Sequence, residues 1–235
     1  MFLKNELEDI LSKYKLYASQ FALIKDCKIY ANFTHSINNT IHNDSIFRVA
    51  SISKLIVTIA ILKLYDEDHL SLEEDISTYL GYSVCNPHFK HRHITIKMLL
   101  SHTSSFQEHP NYMVPFNENI EEMFAQTGKY YTDELFLKKD NKYVQPGSVF
   151  EYYNGGFMIL ATIIEKVSNQ RFDDYIQRAV LEPLDITGAF NISHFTKDER
   201  SNIEPIVRYH EAYIHTIDFD LIIDNYDNYS IGQNG

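Results

Sequence analysis

The spacing of apolar residues predicts a helix at the start of the chain and a β-hairpin directly after it. In residues 2–15, apolar side chains recur every three or four positions and therefore share one helical face. Two segments rich in aromatic and β-branched residues, 17–25 and 28–33, follow and are separated only by Asp26 and Cys27. Two such segments joined by a two-residue turn are typical of a hairpin.

Longer apolar runs further along the chain predict helices that pack into a core. Residues 55–64 are almost entirely apolar, which predicts a buried helix whose start Ser51 or Ser53 can cap. Pro183 is predicted to end the last helix, because proline interrupts helical hydrogen bonding. The aromatic, acidic tail from residue 203 shows no pattern of a closing helix or strand. Further helices are predicted over residues 94–101, 120–127, 156–168 and 172–181, and loops over residues 103–118 and 138–149.

The composition is that of an ordinary globular chain and argues against several function classes. With 235 residues, of which 44% are hydrophobic and 23% charged, the sequence suits one large domain and not a disordered chain. The net charge of −11 argues against a nucleic-acid partner, because such binding needs a basic surface. Cys27 and Cys85 are the only cysteines, which is too few for a disulfide framework.

The sequence predicts neither a membrane span nor a signal peptide. No window of about 18 residues is uncharged and apolar throughout. Acidic residues stand near the N-terminus, where a signal peptide needs an apolar run. We therefore expect a cytoplasmic protein from the sequence as written, or a periplasmic or secreted one if a leader was removed.

Ser51 and Lys54 form the first candidate for catalysis. They fit the pattern S-x-x-K, whose spacing brings both side chains to one face of a helix. The lysine can hold the serine hydroxyl and take its proton, and a helix N-terminus offers N–H groups to a developing oxyanion. With 17 serines and 15 lysines, roughly one such pair arises by chance, and Ser12 with Lys15 also fits. The apolar helix that follows favours Ser51, and a plain helix cap is the alternative.

Tyr152 and Asn154 form a second candidate pair. They follow a Pro-Gly turn and precede a Gly-Gly pair and an apolar helix. A tyrosine beside a lysine cation ionises more easily and can act as a general base. An asparagine next to it can bind a substrate amide or orient the lysine. The Y-x-N pattern also begins at Tyr30 and Tyr226, and the alternative is that Tyr152 is a core aromatic residue.

A metal site is a further alternative that the spacing does not support. The five histidines between residues 88 and 109 match no known zinc pattern, and His102 is interpreted as structural. The acidic residues of the tail lack the spacing of a calcium loop and suit a solvated face. We predict neither a metal ion nor a cofactor. The residues considered are His88, His91, His93, His102 and His109, and in the tail Asp218, Asp220, Asp224 and Asp227.

Four segments of the chain, in order, resemble the class C type of the serine β-lactamase family, which also holds DD-peptidases and related esterases. They are FRVASISKLIVTIAILKL, ITIKMLLSHTSSF, PGSVFEYYNGGFMILATIIEKVSNQRFDDYI and LEPLDITG, and they run from Phe47 to Gly188. The resemblance implies an α/β (α+β) fold of the β-lactamase/DD-peptidase type, with an antiparallel sheet flanked by helices and a helical domain. The expected parts of this single domain, residues 1–235, are N-terminal strands in 17–50, a central helix and helical subdomain in 51–188, and an irregular tail in 189–235.

The resemblance also implies a role for each candidate residue. Ser51 corresponds to the acylated nucleophile, and we assign the acceptance of its proton to Tyr152 and Lys54 as a pair. Asn154 is expected to contact Lys54 and the substrate amide. The implied reaction is acyl-enzyme formation with a small-molecule or peptide substrate, namely a β-lactam, a D-Ala peptide or a simple ester.

The chain departs from the family pattern in three places. The family's H-T-S-G-L and P-L-G-M are replaced by HTSSF at residues 102–106 and PLDI at residues 183–186. The third motif, a lysine or histidine followed by Thr or Ser and then Gly, occurs nowhere in the sequence. In the family this motif lies on a C-terminal strand that supplies one oxyanion donor. The alternative function is therefore a truncated or non-turning-over penicillin-binding homologue that acts as a binding or scaffold protein.

The absence of the C-terminal strand that carries the third motif also affects what we expect for self-association. An isolated two-stranded hairpin is marginal in water, and its open edge can pair with another chain. We therefore expect the sheet to be completed by other means, such as self-association, if the chain is not a fragment of a longer protein.

Overall fold

The computed structural model describes residues 2–14, 18–36, 41–108, 114, 118–204, 206–207 and 214–215. These residues fall into two compact units. The first contains the described residues of Met1–Val49 and Phe195–Asp220, and the second contains those of Ala50–His194. Helices are mixed with short antiparallel sheets, each of two strands within the described ranges. Across the same ranges, no helix combines the length and the apolar character that crossing a membrane requires.

The first unit begins with the helix and the hairpin that the sequence predicts. Helix α1 spans Phe2–Lys13, and strand β1 (Ala18–Lys25) pairs antiparallel with β2 (Lys28–Ser36). Asp26 and Cys27 both have positive φ, 52° and 57°, which is the twist that a two-residue hairpin turn requires. Both predictions are confirmed, with small differences at the boundaries.

The second unit is mainly helical, and its short helices begin at capping side chains. Asp75 accepts the N–H of Ser77 at the start of α3, and Thr95 accepts that of Met98 at the start of α4. A 3-10 turn over Ala50–Ile52 leads directly into α2. The elements are α2 (Ser53–Asp66), α3 (Ile76–Leu80), α4 (Ile96–Leu100), α5 (Glu121–Phe124), β3 (Lys138–Lys139), β4 (Lys142–Tyr143), α6 (Gly155–Ser168) and α7 (Phe172–Ile176).

α6 is the central helix of this unit. Its residues 159–164 are all buried, and α2, α3, α4 and α7 pack around it. α2 is buried along one face only, since Leu55 on its other face is 60% exposed. The prediction of a buried helix over residues 55–64 is therefore wrong for that outer face. An apolar run shows that a helix has an apolar surface, but not on how many sides it has neighbours.

The loop predicted over residues 138–149 contains the small hairpin of β3 and β4. Asp140 and Asn141 both have positive φ, 51° and 60°, and close a two-residue turn between the strands. Aspartate and asparagine tolerate this conformation better than other residues with a side chain. Two-residue strands are too short to leave an alternating pattern in the sequence.

The helix predicted over residues 172–181 changes its character half-way. α7 ends at Ile176 and continues as a π-helical turn over Gln177–Leu181. Pro183 lies at the start of a 3-10 turn, Glu182–Leu184, and is not the residue that ends α7. Proline is tolerated there because the first N–H groups of a helix have no partner within it.

The first unit also takes in residues near the C-terminal end of the described ranges. Helix α8 (Lys197–Ser201) starts with a capping box in which Thr196 and Glu199 satisfy each other's backbone N–H groups. Strands β5 (Ile206–Val207) and β6 (Ile214–His215) form a short antiparallel pair that the sequence did not predict. Apart from residues 203–204, the rest of the tail, including the four aspartates considered for calcium, lies outside the described residues.

Candidate active site

Ser51 lies at the junction between the 3-10 turn and α2. Ala50, directly before it, has φ of +46°, a left-handed conformation that is uncommon for a residue with a side chain. The N-cap of α2 is Ile52, and no side chain forms a capping hydrogen bond there. The prediction that Ser51 or Ser53 caps this helix is therefore wrong. The exposed hydroxyl of Ser51 is instead engaged by side chains from elsewhere in the unit.

Lys54 connects the first candidate pair to the second. Its Nζ donates to Ser51 Oγ at 3.1 Å and to Asn154 Oδ1 at 2.8 Å. The same Nζ lies 5.1 Å from the ring centroid of Tyr152 and 5.4 Å from that of Phe157, within range of a cation–π interaction. The lysine is thus held on the Ser51 side of α2 by one amide oxygen and two aromatic rings.

Tyr152 contacts the serine from the other side. Its hydroxyl lies 2.7 Å from Ser51 Oγ, and either oxygen can be the donor. The interaction with Lys54, and next the hydrogen bond with Ser51, lower the pKa of Tyr152 below its ordinary value, while the charge of Glu108 acts in the opposite direction. The ring is 40% exposed, so Tyr152 is not the core aromatic residue that the alternative interpretation required.

His102 packs against Tyr152. The two ring centroids are 4.6 Å apart, and His102 Nδ1 accepts the backbone N–H of Tyr153 at 3.2 Å. Burial, and then the charge of Lys54, lower the pKa of His102 below its ordinary value, which favours the neutral ring that this acceptor role requires. The sequence indicated a structural role for His102 but did not predict its contact with Tyr152.

Glu108 is a member of the site that the sequence analysis missed. Its Oε1 accepts two hydrogen bonds from Asn154, from the backbone N–H at 2.6 Å and from Nδ2 at 2.8 Å. The residue lies in a segment that was predicted only as a loop, and nothing in its local sequence marks it. Residues 109–113, which follow it, lie outside the described residues.

The structure brings all four sequence-predicted residues into one hydrogen-bonded group. Ser51 Oγ contacts the two groups that can take its proton, Lys54 Nζ and Tyr152 OH, and Asn154 holds Lys54 from behind. A serine placed between such groups can be activated as a nucleophile, because its proton has somewhere to go as the oxygen attacks. The arrangement therefore suits acyl transfer through a covalent serine intermediate.

Two of the histidines considered as zinc ligands have separate partners. His88 stacks on the ring of Tyr143, and His93 Nδ1 pairs with Asp75. His109 lies outside the described residues. Among the residues that the structure covers, one group of possible ligands does come together, namely Asp173, Asp174 and His194. It is a different set from the one that the sequence suggested.

Comparison with known protein families gives a match over most of the chain. The family described as Beta-lactamase matches residues 8–202. The putative penicillin-binding protein PbpX of Bacillus subtilis (strain 168) is 32% identical over 161 residues, which cover 68% of this chain and 36% of PbpX. The chain spans about a third of the length of the curated relatives it matches.

Solved structures share the fold at low sequence identity. A class C β-lactamase in complex with cefoxitin superposes with a TM-score of 0.67 at 18% identity, covering 91% of this chain and 56% of that one. The octameric penicillin-binding protein homologue from Pyrococcus abyssi gives a TM-score of 0.66 at 21% identity, covering 95% of this chain and 54% of that one. The predicted β-lactamase/DD-peptidase-like fold is thereby confirmed.

Proposed function

The chain belongs to the Beta-lactamase family, and from this membership we propose that it is a serine hydrolase that forms an acyl-enzyme on Ser51. One observation carries the proposal: Ser51 Oγ lies 2.7 Å from Tyr152 OH and 3.1 Å from Lys54 Nζ. Those distances are within hydrogen-bond reach of a proton acceptor, which is the first requirement for a general base.

The proposed reaction has two steps. In the first, Ser51 Oγ bonds to the substrate carbonyl carbon while its proton passes to the Tyr152–Lys54 pair. The substrate C–N or C–O bond then breaks, and the leaving group takes that proton from the pair. In the second step, water bonds to the acyl carbon while its proton passes to the same pair. The C–O bond to Ser51 then breaks, Ser51 Oγ takes that proton back from the pair, and the acid is released.

The relatives support the proposed substrate class. One is named as a putative penicillin-binding protein, and a solved neighbour holds cefoxitin, so β-lactams are the first substrates to test. Another neighbour is a β-lactamase/D-alanine carboxypeptidase from Yersinia pestis, which adds D-Ala peptides. Simple esters and amides complete the proposed range, with Asn154 contacting the substrate amide.

A second candidate function is that of a penicillin-binding homologue that is acylated without turnover. The observation that favours it is the absence of the third family motif from the sequence. If no other group takes the place of that motif's oxyanion donor, its loss costs about 10²–10³ in rate, which slows both steps. A chain of this kind becomes labelled on Ser51 but releases little product.

If the chain is not a fragment of a longer protein, self-association is the proposed way in which the sheet gains further strands. In the described residues each sheet has two strands, which is marginal for a sheet in water. The octameric homologue from Pyrococcus abyssi is a precedent for assembly in a related fold. Light scattering on the purified chain tests this, and a monomer at working concentration contradicts it.

The test of the proposed function is covalent labelling. The chain is incubated with a fluorescent penicillin or an alkyl fluorophosphonate, and the labelled peptide is identified by mass spectrometry. We expect label on Ser51, loss of that label in Ser51→Ala, and no loss in Ser53→Ala. Ser53 is the matched control because it lies on the same turn and caps nothing.

Two results contradict the proposal. Label that persists in Ser51→Ala places the nucleophile elsewhere, and label on Ser12 identifies the competing S-x-x-K pair. Hydrolysis of nitrocefin or a p-nitrophenyl ester then separates the two candidate functions, because the hydrolase turns substrate over and the binding homologue stops at one equivalent of label.

A further inference from the structure

The carboxylate of Glu108 lies at the N-terminal end of α6. It accepts the backbone N–H of Asn154, the residue directly before that helix, and the side-chain Nδ2 of the same residue. No side chain at the helix start forms a capping hydrogen bond of its own. Glu108 thus supplies an acceptor from a segment that lies 46 residues earlier in the chain. A negative charge is favourable at this end of a helix.

The geometry points to a role for Glu108 as a positioning residue: its carboxylate fixes which end of the Asn154 amide faces Lys54. This inference rests on the proposed function. The two ends of an asparagine amide differ, since Oδ1 only accepts hydrogen bonds and Nδ2 only donates them. With Nδ2 committed to Glu108, Oδ1 is the end that meets Lys54 Nζ, at 2.8 Å.

The opposite orientation of the amide is unfavourable on both sides. If the amide turned by half a rotation, Nδ2 would face the donor Lys54, and Oδ1 would face the acceptor Glu108. Two attractive contacts would become two repulsive ones. The backbone contact at 2.6 Å holds the carboxylate in place at the same time, so that it cannot follow a turning amide. Glu108 therefore selects one orientation and makes it rigid.

The orientation of the amide reaches the nucleophile through Lys54. The lysine has three N–H donors; one is used by Asn154 Oδ1 and another by Ser51 Oγ at 3.1 Å. When the first contact is lost, the ammonium can turn on its flexible stem and the second contact is no longer fixed. Acylation depends steeply on such positions, because a displacement of about 1 Å can cost about 100-fold in rate.

Shape and charge at Glu108 can be separated by substitution. Glu108→Gln keeps an oxygen that can accept both Asn154 hydrogen bonds but removes the charge, whereas Glu108→Ala removes both. The charge of Glu108 raises the pKa of Tyr152, against the effect of Lys54. Removing the charge therefore lowers the pKa of Tyr152 further, and the rise of the labelling rate with pH should move to lower pH in Glu108→Gln.

The experiment measures the second-order rate of Ser51 labelling in single and double variants. We expect Glu108→Ala to slow labelling by about 10- to 100-fold and Glu108→Gln to stay within about threefold of the parent at its plateau. We also expect Glu108→Ala/Asn154→Ala to be no slower than Asn154→Ala, since Glu108 acts through Asn154. Glu182→Ala, which removes an exposed carboxylate from the 182–184 turn, is the control and should label at the parent rate.

Three outcomes overturn the inference: Glu108→Ala labels like the parent, Glu108→Gln is as slow as Glu108→Ala, or the effects of Glu108 and Asn154 multiply independently. If Glu108→Ala does not fold, Glu108→Met replaces it, because it fills the same volume without an acceptor. Absence of Ser51-dependent label in the unmodified chain overturns the proposed function, and this inference with it. Normal labelling combined with any of the three outcomes overturns this inference alone.

Discussion

The second unit contains two polar networks that differ in how completely their hydrogen bonds are satisfied. One is the candidate active-site group around Ser51, and the other surrounds Asp173 at the start of α7. Asp173 is 1% exposed in its side chain and accepts from Arg171 Nε at 3.1 Å, Arg171 Nη2 at 2.9 Å and Asn191 Nδ2 at 2.7 Å. Ser51 is exposed, and its contact with Tyr152 can run in either direction.

The difference separates a network that stabilises the fold from one that can carry out chemistry. Burial alone would raise the pKa of Asp173, but Arg171 and Asn191 outweigh it and hold the pKa below its ordinary value. The two oxygens of this carboxylate already accept three hydrogen bonds, which favours a structural role. The active-site group instead keeps an exposed oxygen between two groups that can exchange its proton.

The sharpest way to break the active-site network is Lys54→Met, which keeps an unbranched side chain and removes the amine. We expect labelling of Ser51 to slow by about 10²–10⁴, the range for loss of a general acid–base group. Lys63→Met on the same helix is the control, because Lys63 pairs with the exposed Glu67 and such pairs contribute little. Equal labelling rates in the two variants would show that Lys54 takes no part in the labelling of Ser51.

Breaking the Asp173 network should lower the free energy of unfolding and leave the labelling rate of Ser51 unchanged. Asp173→Asn leaves Arg171 facing a neutral amide and should lower the free energy of unfolding by about 2–3 kcal/mol. The neighbouring Asp174→Asn is the control, because the side chain of Asp174 is 54% exposed. Urea unfolding measures both, and the labelling rate of folded Asp173→Asn should match that of the parent.

Acid should remove the contribution of Asp173 to the free energy of unfolding in the unmodified chain as well. Because the pKa of Asp173 is lower in the folded state, its contribution is complete above the ordinary aspartate pKa of about 4. The contribution then disappears as the pH falls through the folded value. A variant Asp173→Asn that is as stable as the parent at neutral pH, or a labelling rate that drops with it, would erase the contrast between the two networks.

The smallest expected effect concerns the pH dependence of Ser51 labelling. If the phenolate of Tyr152 accepts the serine proton, the labelling rate rises with pH and levels off above the pKa of Tyr152. Since Lys54 and Ser51 lower that pKa, the midpoint should lie below the ordinary tyrosine value of about 10. Tyr152→Phe should remove the rise. A profile that is flat, or centred at or above the ordinary value, would assign the base to Lys54 alone.

Local periodicity predicted the elements that are long enough to show it. The helix at residues 2–13, the hairpin at residues 18–36 and α6 all follow from repeated apolar positions. α3, a helix of five residues that begins at the cap Asp75, was not predicted, whereas α4 and α7, which have the same length, lie within predicted helices. The hairpin of β3 and β4 depends on two positive φ values, which are properties of the fold and not of a pattern.

The candidate site was predictable where its members lie close in sequence. Ser51 and Lys54 share a helical face, and Tyr152 and Asn154 share a short motif, although each pattern also occurs elsewhere by chance. The contact between Asn154 and Lys54, which are 100 residues apart, was expected only from the family resemblance, and other contacts between distant segments left no signal. Glu108 meets Asn154 across 46 residues and Asp173 meets Asn191 across 18, and neither pair is related by helical or strand spacing. Only folding brings those partners together.

The row of hydrogen bonds that runs from Glu108 through Asn154 and Lys54 to Ser51 has a fixed polarity. A carboxylate and an amide oxygen only accept, while an amide nitrogen and an ammonium only donate, so each link of the row has one possible direction. The link between Ser51 and Tyr152 is different, because either hydroxyl can give its hydrogen to the other. The identity of the atoms therefore fixes the direction of every hydrogen bond from Glu108 to Ser51. Only the hydrogen between Ser51 and Tyr152 can reside on either of two oxygens.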